Sequence, residues 1–307
     1  MNKNNKIYLI ILAVLVVLFL ITKMNNKTEK IIDFFDVDSV KIAKFSVTDA
    51  NGTITLQNVN GSWEITDPIQ YKADQAKVEN VFDKVLNAKT SSLPLSDSQQ
   101  SLPNYELQDS VAVFLTFFDV NDKVLDATYF GKMKGQSKTP ARKENSNEVF
   151  LLDQSVHYLL KADTQNWREK TVTTIEEESI EKISVLYDDS GYELSKQDTA
   201  WFYADGDNTA TLKEDNSTVR SIVTALKRVT STQFKDNEFE KYEAALAKPD
   251  LEIGVVQLDG NSVYLRLAKD DESKYVMQLN NDTETLFIQH EGWAKRFMKT
   301  FQDFEEK

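Results

Sequence analysis

GSWEIT (residues 61–66) and TAWFYA (residues 199–204) are one strand written twice. Trp63 and Trp201 stand 138 positions apart, and the sequence around them repeats at nearly the same offset. Upstream, the strand that begins at Phe45 to Val47 begins again at Ile183 to Val185. Downstream, the stripe Val78, Val81, Phe82 and Val85 recurs as Val219, Ile222, Val223 and Leu226. Tyr105 answers Tyr242, and VFLLDQSV from Val149 answers LFIQHEGW from Leu286. A period near 137 is too long for a solenoid repeat. It predicts a duplicated domain, in a chain of 307 residues that is long enough for two cores.

Each copy reads as three strands, a helix, a loop, three strands and a closing helix. Asn51-Gly52, Asn60-Gly61 and Asn121-Asp122 mark tight hairpins in the first copy, Gly191 and Asp259-Gly260 in the second. Residues 74–89 carry an amphipathic helical pattern with Asp74 as its N-cap. Trp293, Phe297, Phe301 and Phe304 would share one face of the last helix. Successive hairpins imply antiparallel pairing, so the expected class is α+β. The predicted organisation is a short tail (1–6), a transmembrane signal anchor (7–24) and a juxtamembrane link (25–38). The first module (39–170), a linker (171–178) and the second module (179–307) follow.

The anchor is predicted from Ile7 to Thr22, an uncharged run of Ile, Leu and Val that Met24 extends. Sixteen helical residues span roughly 24 Å, and Lys6 and Lys23 can snorkel to the two interfaces. A cleaved signal peptide is the alternative, although ITKMNNKTEK offers no small-residue cleavage site. Lysines lie on both sides of the run, so charge leaves orientation open. The short tail and large body favour a single-pass protein with its body outside the cytoplasm.

Net charge is −13 overall, and the second copy carries 16 basic residues against 25 acidic ones. A chain this acidic repels nucleic acid, which is not an expected partner. There is no cysteine, which removes disulfides, thiolate chemistry and lipid-modified cysteine, and there are only two histidines. GKMKGQSK from Gly131 lacks the spacing of a phosphate-binding loop. DGDNT (205–209) begins like a calcium loop, but Ala210 and Asn216 stand where glycine and glutamate are required. Asp119, Asn121 and Asp122 fail in the same way at Lys123. No nucleophile elbow or zinc-protease motif occurs, so the chain is not expected to be an enzyme, and no catalytic, cofactor or metal residues are assigned. Trp63 and Trp201 read as packing anchors, with a sugar-stacking platform as the alternative.

The copies differ most at the loop 132–143, KMKGQSKTPARK. It holds Lys132, Lys134, Lys138, Arg142 and Lys143 and no acid, where the second copy has the shorter, acidic KDDESK. These five residues are the candidate contact with anionic headgroups or an acidic partner, against the plainer reading of a solvated hairpin tip.

The order of landmarks resembles the uncharacterised envelope family catalogued as domain of unknown function 4340. The anchor, GSWEITDP (61–68), the Val78–Leu86 helix, NYEL (104–107), YFGK (129–132) and EVFLLD (148–153) carry the likeness. Glu106 stands where that family commonly has glycine, and the second copy is more divergent. The resemblance implies a membrane-anchored extracytoplasmic protein, of a kind often encoded beside ABC-type transport components of the gliding-motility auxiliary type. The leading expectation is therefore a non-enzymatic accessory or scaffold protein that partners a membrane transporter. The alternatives are a binding module for an envelope polymer or other ligand, and then an enzyme.

Overall fold

The computed structural model describes residues 11–17, 29–133, 137–198, 200–213 and 215–305. The chain divides into two units, residues 1–168 and 169–307. Each contains one large antiparallel sheet accompanied by short helices, an α+β architecture. Of the expected membrane span 7–24, residues 11–17 are helical with exposed side chains, and the remainder lies outside the described residues. Among the described residues no helix is long and apolar enough to cross a membrane.

The first sheet is built from β1 (Lys44–Asp49), β2 (Gly52–Val59), β3 (Ser62–Asp67), β4 (Tyr71–Lys72), β5 (Val113–Phe118), β6 (Val124–Phe130), β7 (Thr139–Lys143) and β8 (Phe150–Leu152). The second uses β9 (Ile180–Tyr187), β10 (Ser190–Gln197), β11 (Ala200–Ala204), β12 (Thr209–Leu212), β13 (Leu251–Gln257), β14 (Ser262–Asp271), β15 (Lys274–Leu279) and β16 (Thr285–His290). The strand orders are β8-β7-β6-β5-β1-β2-β3-β4 and β16-β15-β14-β13-β9-β10-β11-β12, the second extended past β16 by Phe234–Asp236.

The two sheets share register as well as order. Phe45 opposes Leu56 on one side and Phe117 on the other; Ile183 opposes Leu194 and Val255. Asn58 faces Trp63 as Lys196 faces Trp201. In a strand the side-chain period is two, so a slip of one residue would expose the core face. The repeated register therefore keeps the same positions inside: Phe45, Val47, Leu56 and Ile65 in one unit, Ile183, Val185, Leu194 and Tyr203 in the other.

Helix α1 (Gln75–Val81) starts at Asp74, whose carboxylate accepts from the Lys77 amide, and passes into a π-helical turn, Phe82–Leu86. Its Val78, Val81 and Val85 close the core over Phe45 and Trp63. Its counterpart α2 (Ser217–Lys227) is capped by Asn216, and α3 (Phe239–Leu246) sets Tyr242 and Leu246 against Ala268, Val276, Leu286 and Ile288. Where α3 stands in the second copy, the first has a 3-10 segment, Gln99–Tyr105.

Several boundaries differ from expectation. The polar link expected at 25–38 is part of the first unit from Ile31 onward. Ile31–Asp33 pairs with Lys89–Ser91, and Phe34 and Phe35 are buried in the core. Within the linker expected at 171–178, Thr171–Thr173 pairs with Val229–Thr230 of the second unit. The first copy closes on a 3-10 turn, His157–Leu159, and a one-turn α-helix, Thr164–Trp167, rather than on one continuous helix. The last helix is two short ones, Glu291–Ala294 and Phe301–Phe304, because Thr300 and Asp303 form a capping box that starts the second afresh. Asp188 and Asp189, both at positive φ, make the turn that Gly191 was expected to mark. Gly191 itself lies in β10, where an added Cβ would come within 2.6 Å of the Val185 carbonyl.

Candidate functional site

Equivalent ends of the two sheets each carry a cleft. In the first unit the β1–β2 turn (Asp49, Ala50, Asn51) and the entry to β5 (Val111, Val113) form one side. Lys132, His157, Tyr158 and Lys161 form the other, enclosing about 610 Å³. A second hollow of about 340 Å³ adjoins it through Lys132, His157 and Tyr158, and is also lined by Glu106 and Lys138. In the second unit the β9–β10 turn (Asp188, Asp189) and the entry to β13 (Pro249, Glu252) line a cleft of about 700 Å³. The β1–β5 and β9–β13 registers superimpose these features at an offset of 138: Ala50 on Asp188, Asn51 on Asp189, Val111 on Pro249.

The two clefts differ in sign. The second holds Asp188, Asp189, Asp205 and Glu252 against Lys248. Asp205 accepts from the Tyr203 hydroxyl and from the amides of Asp207 and Asn208, an Asx turn that occupies the carboxylate of the calcium-like DGDNT stretch. The first gathers Lys132, Lys138, Lys161 and His157. Its acids Asp49 and Asp163 serve backbone donors: Asp49 accepts from Asn51 and Ala162, Asp163 from Gln165.

Local backbone explains how Lys132 reaches the cleft. Its amide donates to the Tyr105 carbonyl, and the Gly131 amide to the Pro140 carbonyl. A Cβ on Gly131 would lie 2.0 Å from the Tyr105 carbonyl oxygen, so only glycine lets these segments meet. Glu106, next in the facing segment, has φ 53° and ψ 40° and caps the preceding 3-10 turn in the left-handed conformation. A glycine would adopt that conformation without the penalty a side chain carries there. Burial lowers the pKa of His157, and the positive charge of Lys132 lowers it further, against the opposing pull of Glu106 and Asp49.

Of the five basic residues expected to act together, the fold separates the four that are described. Lys132 and Lys138 are exposed on the cleft, and Lys134 lies outside the described residues. Arg142 and Lys143 belong to β7 rather than to a hairpin tip. Arg142 is buried; its guanidinium pairs with Asp109, donates to the carbonyls of Leu107 (3.1 Å) and Glu144 (3.2 Å), and stacks 4.0 Å from the centre of the Tyr129 ring. Lys143 donates to Asp126 (2.6 Å) and lies over Phe34 and Phe35, where burial lowers its pKa. These two cations hold the unit together. His157, Tyr158 and Lys161 escaped sequence reasoning because they fall in the expected closing helix. Aligning the turn Ala50–Asn51 with Asp188–Asp189 was the signal that could have pointed to this end of the sheet. Trp63 and Trp201 are buried, and Trp63 packs on Phe45 and Phe82.

The fold and register define a tandem duplication of one antiparallel module, and comparison with known proteins agrees with the resemblance drawn from the motifs. The family model described as Domain of unknown function (DUF4340) matches residues 63–249, and the chain belongs to that family. No curated protein and no solved structure matches it.

Proposed function

We propose that the protein is a membrane-anchored accessory protein, without a catalytic step of its own, that holds two modules outside the cytoplasm for a partner in the same membrane. The observation that carries this reading is the uncharged apolar run Ile7–Thr22 ahead of a large acidic body, in a chain whose net charge is −13 as a whole. A component of an ABC-type transport system is the proposed partner, by the resemblance noted above. A second reading, a binding module for an envelope polymer or other ligand, is favoured by the equivalent ionic clefts.

The test begins with location. The full chain is expected to stay with membranes through a carbonate wash at its unprocessed mass, and protease added outside the membrane is expected to digest the body. A mature N-terminus beyond Met24 would replace the anchor by a cleaved leader; a protected body would reverse the orientation. Affinity capture then separates the two readings: co-purification of a membrane transporter supports the first, and retention on cell-wall material the second.

A further inference from the structure

We propose that the cleft of the first unit, between Lys132, Lys138, His157 and Lys161, binds a phosphate group, either free or carried on a larger ligand. Three lysines line two adjoining hollows that share Lys132, His157 and Tyr158, and among the described residues none of the three makes a side-chain hydrogen bond or ion pair with the protein. Elsewhere in the same unit the lysines Lys44, Lys89 and Lys143 are each paired with a carboxylate. Unpartnered like charges at one site repel one another, and a multiply charged anion turns that repulsion into attraction.

The acids of the cleft leave room for such a ligand. Asp49 is held by two backbone amides and Asp163 by one, so both act as caps on the cleft wall. Glu106 also faces the cleft, its carboxylate makes no side-chain hydrogen bond or ion pair among the described residues, and its charge opposes an anion. Lysine binds phosphate as a point charge, and three of them around a dianion with several acceptor oxygens suit it better than a single carboxylate.

His157 makes the site readable. It is half-buried and faces Lys132, Glu106 and Asp49, with Tyr158, Lys161 and Asp163 along the same cleft. A dianion beside it would cancel the field of Lys132 and favour the protonated ring, so binding would take up a proton. The second unit is a built-in control, because its equivalent cleft is acidic.

The chain has two histidines, so a protein labelled with 13C at histidine Cε1 gives two signals, assigned with His290→Gln. The full chain in nonionic micelles is titrated with inorganic phosphate and with pyrophosphate, then placed in bilayers of phosphatidylcholine or phosphatidylglycerol. The His157 signal is expected to move saturably toward its protonated position while His290 stays fixed. Response to the soluble anions identifies a free phosphate ligand. Response only when phosphatidylglycerol replaces phosphatidylcholine identifies a lipid headgroup.

The combined variant Lys132→Gln, Lys138→Gln, Lys161→Gln is expected to weaken binding at least about tenfold, the loss of a single charge-assisted contact. Glu106→Gln is expected to tighten binding, a gain that general damage to the fold does not produce. Lys274→Gln, on the equivalent hairpin of the second unit, is expected to change nothing. A His157 signal indifferent to every phosphate source, or a triple variant that responds as the wild type does, overturns the proposal.

Discussion

Residue by residue, the basic stretch 132–143 divides into cations in β7 that hold the fold and cations before it left for solvent or ligand. Arg142 satisfies the carbonyls of Leu107 and Glu144 from inside the unit, so removing it strands those acceptors. Asp109, its acidic partner, is exposed, and the ion pair itself contributes little. Arg142→Met is expected to cost about 2–3 kcal/mol by denaturant melt, whereas Lys138→Gln should stay within about 0.5 kcal/mol. Equal effects would return all five basic residues to one surface loop. Gly131→Ala should be severe, because the new Cβ meets backbone at 2.0 Å. Glu106→Gly should stabilise by about 0.5 kcal/mol, the left-handed penalty less the extra freedom of glycine when unfolded. The depressed pKa of His157 means that the unfolded chain binds its proton more readily. Its contribution to stability is therefore present above the ordinary value of 6.5 and lost as pH falls from there through the lowered folded value. Chemical melts at pH 7.5 and 5.5 should show the wild type losing more stability than His157→Gln over that interval; parallel losses would remove His157 from the pH response.

At the scale of elements, the last stretch of chain is a strap closed by backbone contacts more than a helix. Asn216 accepts from Thr218 and Val219 to cap α2, and its amide donates to the Phe304 carbonyl at 3.0 Å. Tyr192 donates to the Phe297 carbonyl at 2.9 Å, and the Phe304 ring packs on Tyr192 and Tyr203. Asn216→Ala removes both the cap and the clasp, and about 2 kcal/mol is the expected loss in thermal or chemical unfolding. A loss below about 0.5 kcal/mol would mean that the strap is held by its rings alone. This strap also shows where pattern reading reached its limit. Phe297, Phe301 and Phe304 have helical spacing, yet the interruption at Thr300 is specified by a hydrogen-bonded box that hydrophobic periodicity does not register. The Thr139–Lys143 strand was hidden for a related reason: its two cations look solvated in sequence, and only the facing Asp109, Asp126 and Tyr129 show that they are enclosed. The hairpins at Asn60-Gly61 and Asn121-Asp122 were legible because each holds a positive φ that those residues tolerate locally. The cleft was only half legible, since Lys132 and Lys138 lie on one segment and His157 and Lys161 on another.

Across the whole molecule, the repeat is conserved as a register while the chemistry at its open end has diverged. Phe45, Val47 and Leu56 map onto Ile183, Val185 and Leu194 with no insertion, whereas Ala50 and Asn51 are replaced by Asp188 and Asp189. Core positions cannot slip without turning their side chains outward; turn and cleft positions carry no such constraint. Each unit has its own buried sheet face, which predicts that the second folds alone, but the point of truncation matters. Thr171–Thr173 pairs with Val229–Thr230, and the Ser231 amide donates to the Lys170 carbonyl. A fragment of residues 169–307 keeps that strand pair, while one of residues 179–307 leaves Val229, which is buried, without its cover. The longer fragment is expected to melt in a single cooperative transition, and the shorter to melt earlier by several degrees, as a deficit of 1–2 kcal/mol implies for a domain of about 130 residues. Coincident melts would show that the strand adds nothing to the second unit, and a longer fragment without a cooperative melt would show that the halves depend on one another for folding.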